Sequence, residues 1–260
     1  MVKTEKIAHK LSMCLKNLHL PGIKEYYLKI TEEAVKNSMT YEEYLLTLLE
    51  IECEARYNKR IYRLMRESGL PEDKRMDNFD MKRLPLKINQ QVKALMDGSF
   101  LKRTENVLIF GNPGSGKTHL VCAISRELLN QNKKILFTTS SILVQELLIA
   151  KRDLLLPKIL KRYSKFDAII IDDIGYVQQE REEMEVLFTF LADRYERSSI
   201  MITSNLPFSK WDQIFKDTMI AAAAIDRLVH HSVIMEMNIK SYRMEKAKKS
   251  IKSEKGGDKI

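Results

Sequence analysis

From residue 105 onward, short unbroken apolar runs alternate with stretches of helical period. The runs are NVLIF (106–110), KILFT (134–138), DAIIID (167–172), SIMITS (199–204) and SVIMEM (232–237). A half-exposed strand alternates in polarity, whereas an unbroken apolar run suits a strand buried on both faces. With helices between the runs, the pattern predicts a parallel sheet flanked by crossover helices, an α/β fold. Upstream the period is helical throughout. Ile7, Leu11, Leu15 and Leu18 keep one face until LPG (20–22) breaks it. The stretch TYEEYLLTLLEIECEARYNKRIYRLM (40–65) opens on a capping box, Thr40 as N-cap and Glu43 at N3, and should run until Gly69 and Pro71 stop it. PEDKRMDNFDMKRLPLK (71–87) has two prolines and no period, so it reads as a linker. INQQVKALMDG (88–98) is a further helix ending on a glycine. The expected organisation is a small all-helical N-terminal domain over 1–70, a linker and helix over 71–104, the α/β core over 105–245 and a basic flexible tail over 246–260.

Composition narrows the class. At 260 residues, 44% hydrophobic and 30% charged, the chain reads as globular and helix-rich. MVKTEKIAHK is too charged to open a secretory signal, and no apolar run reaches membrane-spanning length; MIAAAAI (219–225) is flanked by Asp217 and Asp226. No membrane partner is expected. Cys14, Cys53 and Cys122 are widely spaced and in no metal-ligand pattern, which fits a reducing, cytoplasmic setting. The formal net charge of +9 points to a polyanionic partner, nucleic acid first, although a basic soluble protein has the same balance.

The chemistry is concentrated after the first strand. Gly111-Asn112-Pro113-Gly114-Ser115-Gly116-Lys117-Thr118 matches G-x-x-x-x-G-K-[ST] at every fixed position. Glycines let successive backbone N–H groups turn toward phosphate oxygens, and the helix that follows adds its unpaired N–H groups and dipole. Lys117 is expected at the β- and γ-phosphates of ATP and the Thr118 hydroxyl on Mg²⁺. DAIIIDDIGY (167–176) supplies two carboxylates where an apolar strand ends, and ligands of open parallel sheets bind at such carboxyl ends. Asp172 is assigned to Mg²⁺ and Asp173 to the attacking water. Ser204 and Asn205 end the next strand; Asn205 suits a place between γ-phosphate and water, and Ser-Asn before Pro is equally a turn signal.

In order, GNPGSGKTH, IIIDDIGY, ITSN, AAAAIDRL and SYR resemble the IstB-like ATP-binding proteins, AAA+ helpers of insertion-sequence transposases and relatives of bacterial helicase loaders. MTYEEYLLTLLEIECEARYNKR and MDNFDM extend the resemblance to roughly residues 5–245. It implies a P-loop NTPase of AAA+ type in the core and assembly of a homo-oligomer with ATP at subunit interfaces. It also implies binding of double-stranded DNA and presentation of that DNA to a transposase. By motif, Asn205 is the sensor residue, Arg227 in IDRL the arginine finger for a neighbour's site and Arg243 in SYR the second sensor. His119 stands with the nucleotide-binding set. Asp173 occupies a place where most AAA+ proteins carry glutamate, which implies slow hydrolysis.

Three basic clusters compete for DNA. Arg56, Lys59, Arg60 and Arg63 recur along one helical face; Lys158, Lys161 and Arg162 lie in KRDLLLPKILKRYSK (151–165); the third is the tail from 240. Such charge suits phosphate contacts without base selection, and a solvated helical face has the same composition. Three other readings stay open: a replicative helicase loader on the same core, an ATP-gated DNA clamp with little hydrolysis, and a small-molecule kinase using 151–165 as a lid.

Overall fold

The computed structural model describes residues 2–175, 180–206, 210, 211, 226, 228–242 and 244. The chain forms two compact units, Met1–Arg63 and Leu64–Ile260.

The first unit is helical: α1 (Val2–Asn17), α2 (Pro21–Lys36) and most of α3 (Tyr41–Ser68). Its core is small, with Leu15, Ile23, Ile30 and Leu48 buried together and Tyr27, Tyr44 and Ile51 packed around them. The capping box forms as expected. Thr40 N–H donates to Glu43 Oε2 at 2.8 Å, and Glu43 N–H donates to Thr40 Oγ1 at 3.2 Å. At α2 the N-cap position holds Leu20, whose side chain caps nothing. A carboxylate from another helix does that work. Glu52 of α3 is only 3% exposed, and its Oε2 accepts the Gly22 and Ile23 amides at 2.7 and 3.2 Å. Arg56 donates to Glu52 Oε1 at 2.8 Å and to the His19 carbonyl at 2.7 Å, so one pair ties α3 to the α1–α2 turn.

The second unit is built on a five-stranded, wholly parallel sheet in the order β2-β3-β4-β1-β5. The strands are β1 (Asn106–Gly111), β2 (Ile135–Thr139), β3 (Ala168–Ile174), β4 (Ser199–Ser204) and β5 (Ser232–Met237), each at its expected place within two residues. The remaining helices among the described residues include α4 (Leu86–Met96), a short α5 (Ser99–Lys102), α6 (Lys117–Asn130), α7 (Ser140–Arg152), α8 (Leu156–Tyr163) and α9 (Arg181–Arg194). Leu108 and Phe110 of β1 share one apolar cluster with Ile169, Ile171, Ile200 and Ile202, covered by Leu143 and Leu147 of α7 and by Leu187 and Phe190 of α9. Alternate strand residues, such as Val107, Ile109 and Met201, turn to the other face, where α6 packs. Both faces are covered, which is why the strands read as continuous apolar runs.

The segment 71–85 is pinned against α6 rather than spanning open space. Arg126 donates to the carbonyls of Pro71 and Lys74, and the His119 ring bonds the Arg75 carbonyl at 2.8 Å. Two single 3-10 turns, Met76–Asn78 and Met81–Arg83, follow.

Glu52 gives the first unit a pH dependence. Burial opposes its ionisation, but Arg56 and the two amides outweigh burial and hold the carboxyl below its ordinary range. Stabilisation is therefore present above the unfolded-state value of about 4.3 and is lost as pH falls through the lower folded value. Glu52→Ala should destabilise this unit by about 1–3 kcal/mol, read as faster hydrogen exchange at the Gly22 and Ile23 amides. Glu52→Gln should remove the acid limb of that exchange; an unchanged limb would contradict the assignment.

Candidate nucleotide site

The carboxyl ends of β1, β3 and β4 meet around a cavity of about 560 Å³. Its floor is the loop between β1 and α6. Gly111 is there because β5 runs so close: a Cβ on it would lie 2.5 Å from the Met237 carbonyl oxygen. Gly116 has φ +98° and is the left-handed N-cap from which α6 starts, facing the Phe79 ring. Lys117, the first residue of α6, is 4% exposed, and its ammonium donates to the carbonyls of Gly111 and Asn112 at 2.8 and 3.1 Å. It also donates to Asn205 Oδ1 at 2.6 Å.

The carboxylate pair is set by a β-bulge. Between Ile171 and Ile174 the β3–β4 register shifts, three steps on β3 against two on β4, so consecutive aspartates are re-aimed. Asp172 is buried, while Asp173, at φ +58°, is exposed in the cavity. Thr203 of β4 fixes both. Its hydroxyl donates to Asp172 Oδ1 at 2.6 Å and accepts the Asp173 amide at 3.0 Å. Burial pushes the Asp172 carboxyl up from its ordinary value, opposed by hydrogen bonds from Thr203 and Thr118 and by the charge of Lys74, while the neighbouring Asp173 adds to the rise. Asn205 spans the site, its Nδ2 at 3.5 Å from Asp173 Oδ1 and its Oδ1 on Lys117.

The residues fit a nucleotide and a hard cation. Ser115 Oγ is buried in the phosphate loop without a hydrogen-bond partner among the described residues, a polar atom placed for a ligand. Thr118 and Asp172 touch each other and offer only oxygen donors, which suits Mg²⁺ with substrate phosphates completing the shell. No cluster of three or more His, Cys, Asp or Glu among the described residues could hold a metal alone.

Of the residues expected at the site, the structure brings together Gly111 to Thr118, Asp172, Asp173 and Asn205. His119 lines the cavity, packed edge-on against Phe79 at 5.3 Å and bonded to the Arg75 carbonyl. Arg227 and Arg243 lie outside the described residues. Four participants escaped the sequence: Thr203, Lys74, Phe79 and Tyr242. Thr203 lies within ITSN, but there the site role is given to Asn205 alone. Lys74 and Phe79 sit in the segment read as a linker, Phe79 within the MDNFDM wording but with no role assigned, and that segment forms a wall of the cavity. Tyr242 donates its N–H to the Gly114 carbonyl at 2.9 Å, with the Arg83 guanidinium 5.2 Å from its ring centre.

The DNA candidates are on α3 and α8. Arg56, engaged by Glu52 and His19, is exposed on α3, as are Lys59, Arg60 and Arg63. Lys158 and Lys161 are exposed on α8; Arg162 pairs with Glu146 and lies over Tyr163, whose ring is buried at 2% exposure. No described helix is long and apolar enough to cross a membrane.

Comparison with known proteins agrees with this geometry. The family profile described as IstB-like ATP binding protein matches residues 13–250. An insertion sequence ATP-binding protein of Sinorhizobium fredii is 40% identical over 239 residues, 92% of this chain and 80% of that one. The IS5376 ATP-binding protein of Geobacillus stearothermophilus is 36% identical over 93% of this chain and 95% of its own. Among solved structures, AMPPCP-bound DnaA of Aquifex aeolicus superposes with a TM-score of 0.55 at 18% identity, covering 71% of this chain and 56% of that one. The DnaC helicase loader gives 0.54 at 16%, covering 65% and 98%. The fold is therefore that of the AAA+ P-loop proteins, with a helical N-terminal region.

Thr203→Val should leave Asp172 buried without the Thr203 donor and free the Asp173 amide. We expect a loss of about 1–3 kcal/mol in stability and weaker Mg²⁺-dependent ATP binding, by urea unfolding and isothermal titration. Wild-type values in both would exclude Thr203 as the residue that sets the pair.

Proposed function

We propose that this chain, which belongs to the family of IstB-like ATP-binding proteins, is a Mg²⁺-dependent ATPase that assembles on double-stranded DNA with ATP and serves a transposase. The observation that carries the reading is the chain of contacts Lys117–Asn205–Asp173 across a cavity bounded by the phosphate loop. It joins the phosphate-binding cation to the carboxylate beside the attacking water. The transposition role is supported by relatives named for insertion sequences. The family match begins at residue 13 and so takes in the end of α1 and all of α2 and α3, which favours a transposase over a replicative helicase as the client.

In this reading Lys117 offsets repulsion at the β- and γ-phosphates, the loop amides receive phosphate oxygens, and Thr118 and Asp172 hold Mg²⁺. Bound Mg²⁺ supplies charge neutralisation on the phosphates. Asp173 orients the attacking water, and Asn205 fixes that water relative to Lys117. A carboxylate one methylene shorter than glutamate makes hydrolysis slow, so ATP acts mainly to hold the assembly. Arg227 completes the site of a neighbouring subunit and Arg243 contacts the nucleotide. Lys59, Arg60, Arg63, Lys158, Lys161 and Arg162 contact phosphates.

Lys117→Ala should abolish ATP binding, whereas Asp173→Asn should bind ATP normally and turn over slowly, trapping the DNA-bound assembly. Unchanged affinity in the first or unchanged turnover in the second removes the corresponding role. Duplex binding should be indifferent to sequence, its log affinity falling with log salt by about 0.9 per phosphate contact; a flat response would exclude the basic clusters. Arg227→Ala mixed with Lys117→Ala, each inactive alone, should regain partial ATPase activity, and a mixture that assembles but stays inactive would rule out a role in trans.

A further inference from the structure

The α7–α8 turn holds a side chain that neither the core nor the nucleotide site explains. Helix α7 ends in a Schellman motif: the Leu155 N–H donates to the Ala150 carbonyl at 2.7 Å and the Leu154 N–H to the Lys151 carbonyl at 3.2 Å. That geometry puts Leu154 at φ +57°, the position at which glycine is the usual residue. Leu154 is the only residue with a hydrocarbon side chain among the seven described non-glycine residues of positive φ. It is also 88% exposed, and Leu155 beside it is 46% exposed. A left-handed leucine is strained, and one facing water gains no burial in return. Strain of this kind, once observed, is a reason to look for function.

The surroundings identify a partner. Between 151 and 165 stand Lys151, Arg152, Lys158, Lys161, Arg162 and Lys165, with Asp153 the single acid. Asp153 is already held by Arg152 at 2.9 Å. The mount is rigid: Leu156, Ile159 and Leu160 of α8 pack on the core, and the buried Arg194 donates to the carbonyls of Tyr163 and Phe166 at 2.9 and 3.1 Å. No residue of 151–165 lines the nucleotide cavity. Helix α7 starts at the carboxyl end of β2, so its far end, which carries the turn, is roughly 20 Å along its axis from that edge.

We propose that Leu154, with Leu155 behind it, is a wedge that enters a base step of duplex DNA while Lys158 and Lys161 hold the flanking phosphates. An apolar side chain set among cations matches a polyanion whose interior is a stack of apolar faces, and insertion of a leucine between base pairs partly unstacks them. The proposal rests on the DNA-binding reading above and adds to it the residue that deforms the duplex.

The test uses the full chain with ATP and short duplexes, each carrying one 2-aminopurine at a scanned position. Wild-type protein should raise 2-aminopurine fluorescence in the bound complex. Leu154→Gly should lose that rise and bind about tenfold more weakly, the scale of one leucine's burial. Its melting temperature should be equal or higher, because glycine suits the left-handed position, and its ATP affinity should be unchanged. Lys158→Gln with Lys161→Gln should weaken binding and shallow the salt dependence, while bound complexes keep the fluorescence rise. A wild-type complex without any rise overturns the wedge but leaves DNA binding standing, whereas no binding by wild type overturns the DNA reading itself. A Leu154→Gly protein that still unstacks DNA but loses self-association also overturns the wedge and assigns the turn to a protein contact.

Discussion

A lysine ammonium buried at the carboxyl edge of a parallel sheet is the constraint around which the second unit is arranged. A buried cation must be met by oxygen acceptors, since burial without them is costly. Here Gly111 and Asn112 turn their carbonyls inward, and Asn205 brings its amide oxygen from the end of β4. Those acceptors come from two neighbouring strands whose ends coincide only because β1 and β4 run parallel and in register, Phe110 opposite Ser204. At the start of the loop β5 runs beside β1, Gly111 opposite Met237, too close for any side chain at Gly111.

From that centre the remaining polar groups follow in sequence. Asn205 reaches Asp173, and Thr203 reaches both Asp172 and the Asp173 backbone. A bulge in β3 separates the two carboxylates into one buried and one exposed group. Their environments then differ although their chemistry is the same. The buried one, braced by Thr203 and Thr118, is suited to an immobile hard cation, and the exposed one to solvent chemistry. Cys122, further along α6, feels the same burial; its thiol is pushed up to about 12, by burial first and then by the charge of Asp172, so it remains a protonated core residue.

The first unit depends on a different interaction at smaller scale. Its core is a handful of aliphatic side chains, little for a unit of this length. Glu52 and Arg56 supply what the core does not, by closing the open end of α2 with a charge that also binds the preceding turn. Arg56 therefore has a structural task although it is exposed, as are Lys59 and Arg60 one turn along the helix.

The strands, the phosphate loop and the capping box at Thr40 were legible in the sequence, because each is written by residues close together in the chain. Burial on both faces needs only a run of apolar residues, and a phosphate loop needs only glycines at fixed spacing. The aspartate pair was legible as a pair, but not as one buried and one exposed group, since that split comes from a bulge set by pairing with β4. The bracing role of Thr203 was invisible because its partners lie about thirty residues away on the neighbouring strand. Glu52 as a helix cap, the 71–85 segment as a cavity wall and the strain at Leu154 were hidden for a related reason. Each follows from where another element happens to pack or how a helix happens to end, and periodicity records only which face of an element is apolar. Local pattern determined the elements and the phosphate-binding loop; tertiary structure decided which polar groups share a charge, because that depends on distances between segments that the order of residues does not contain.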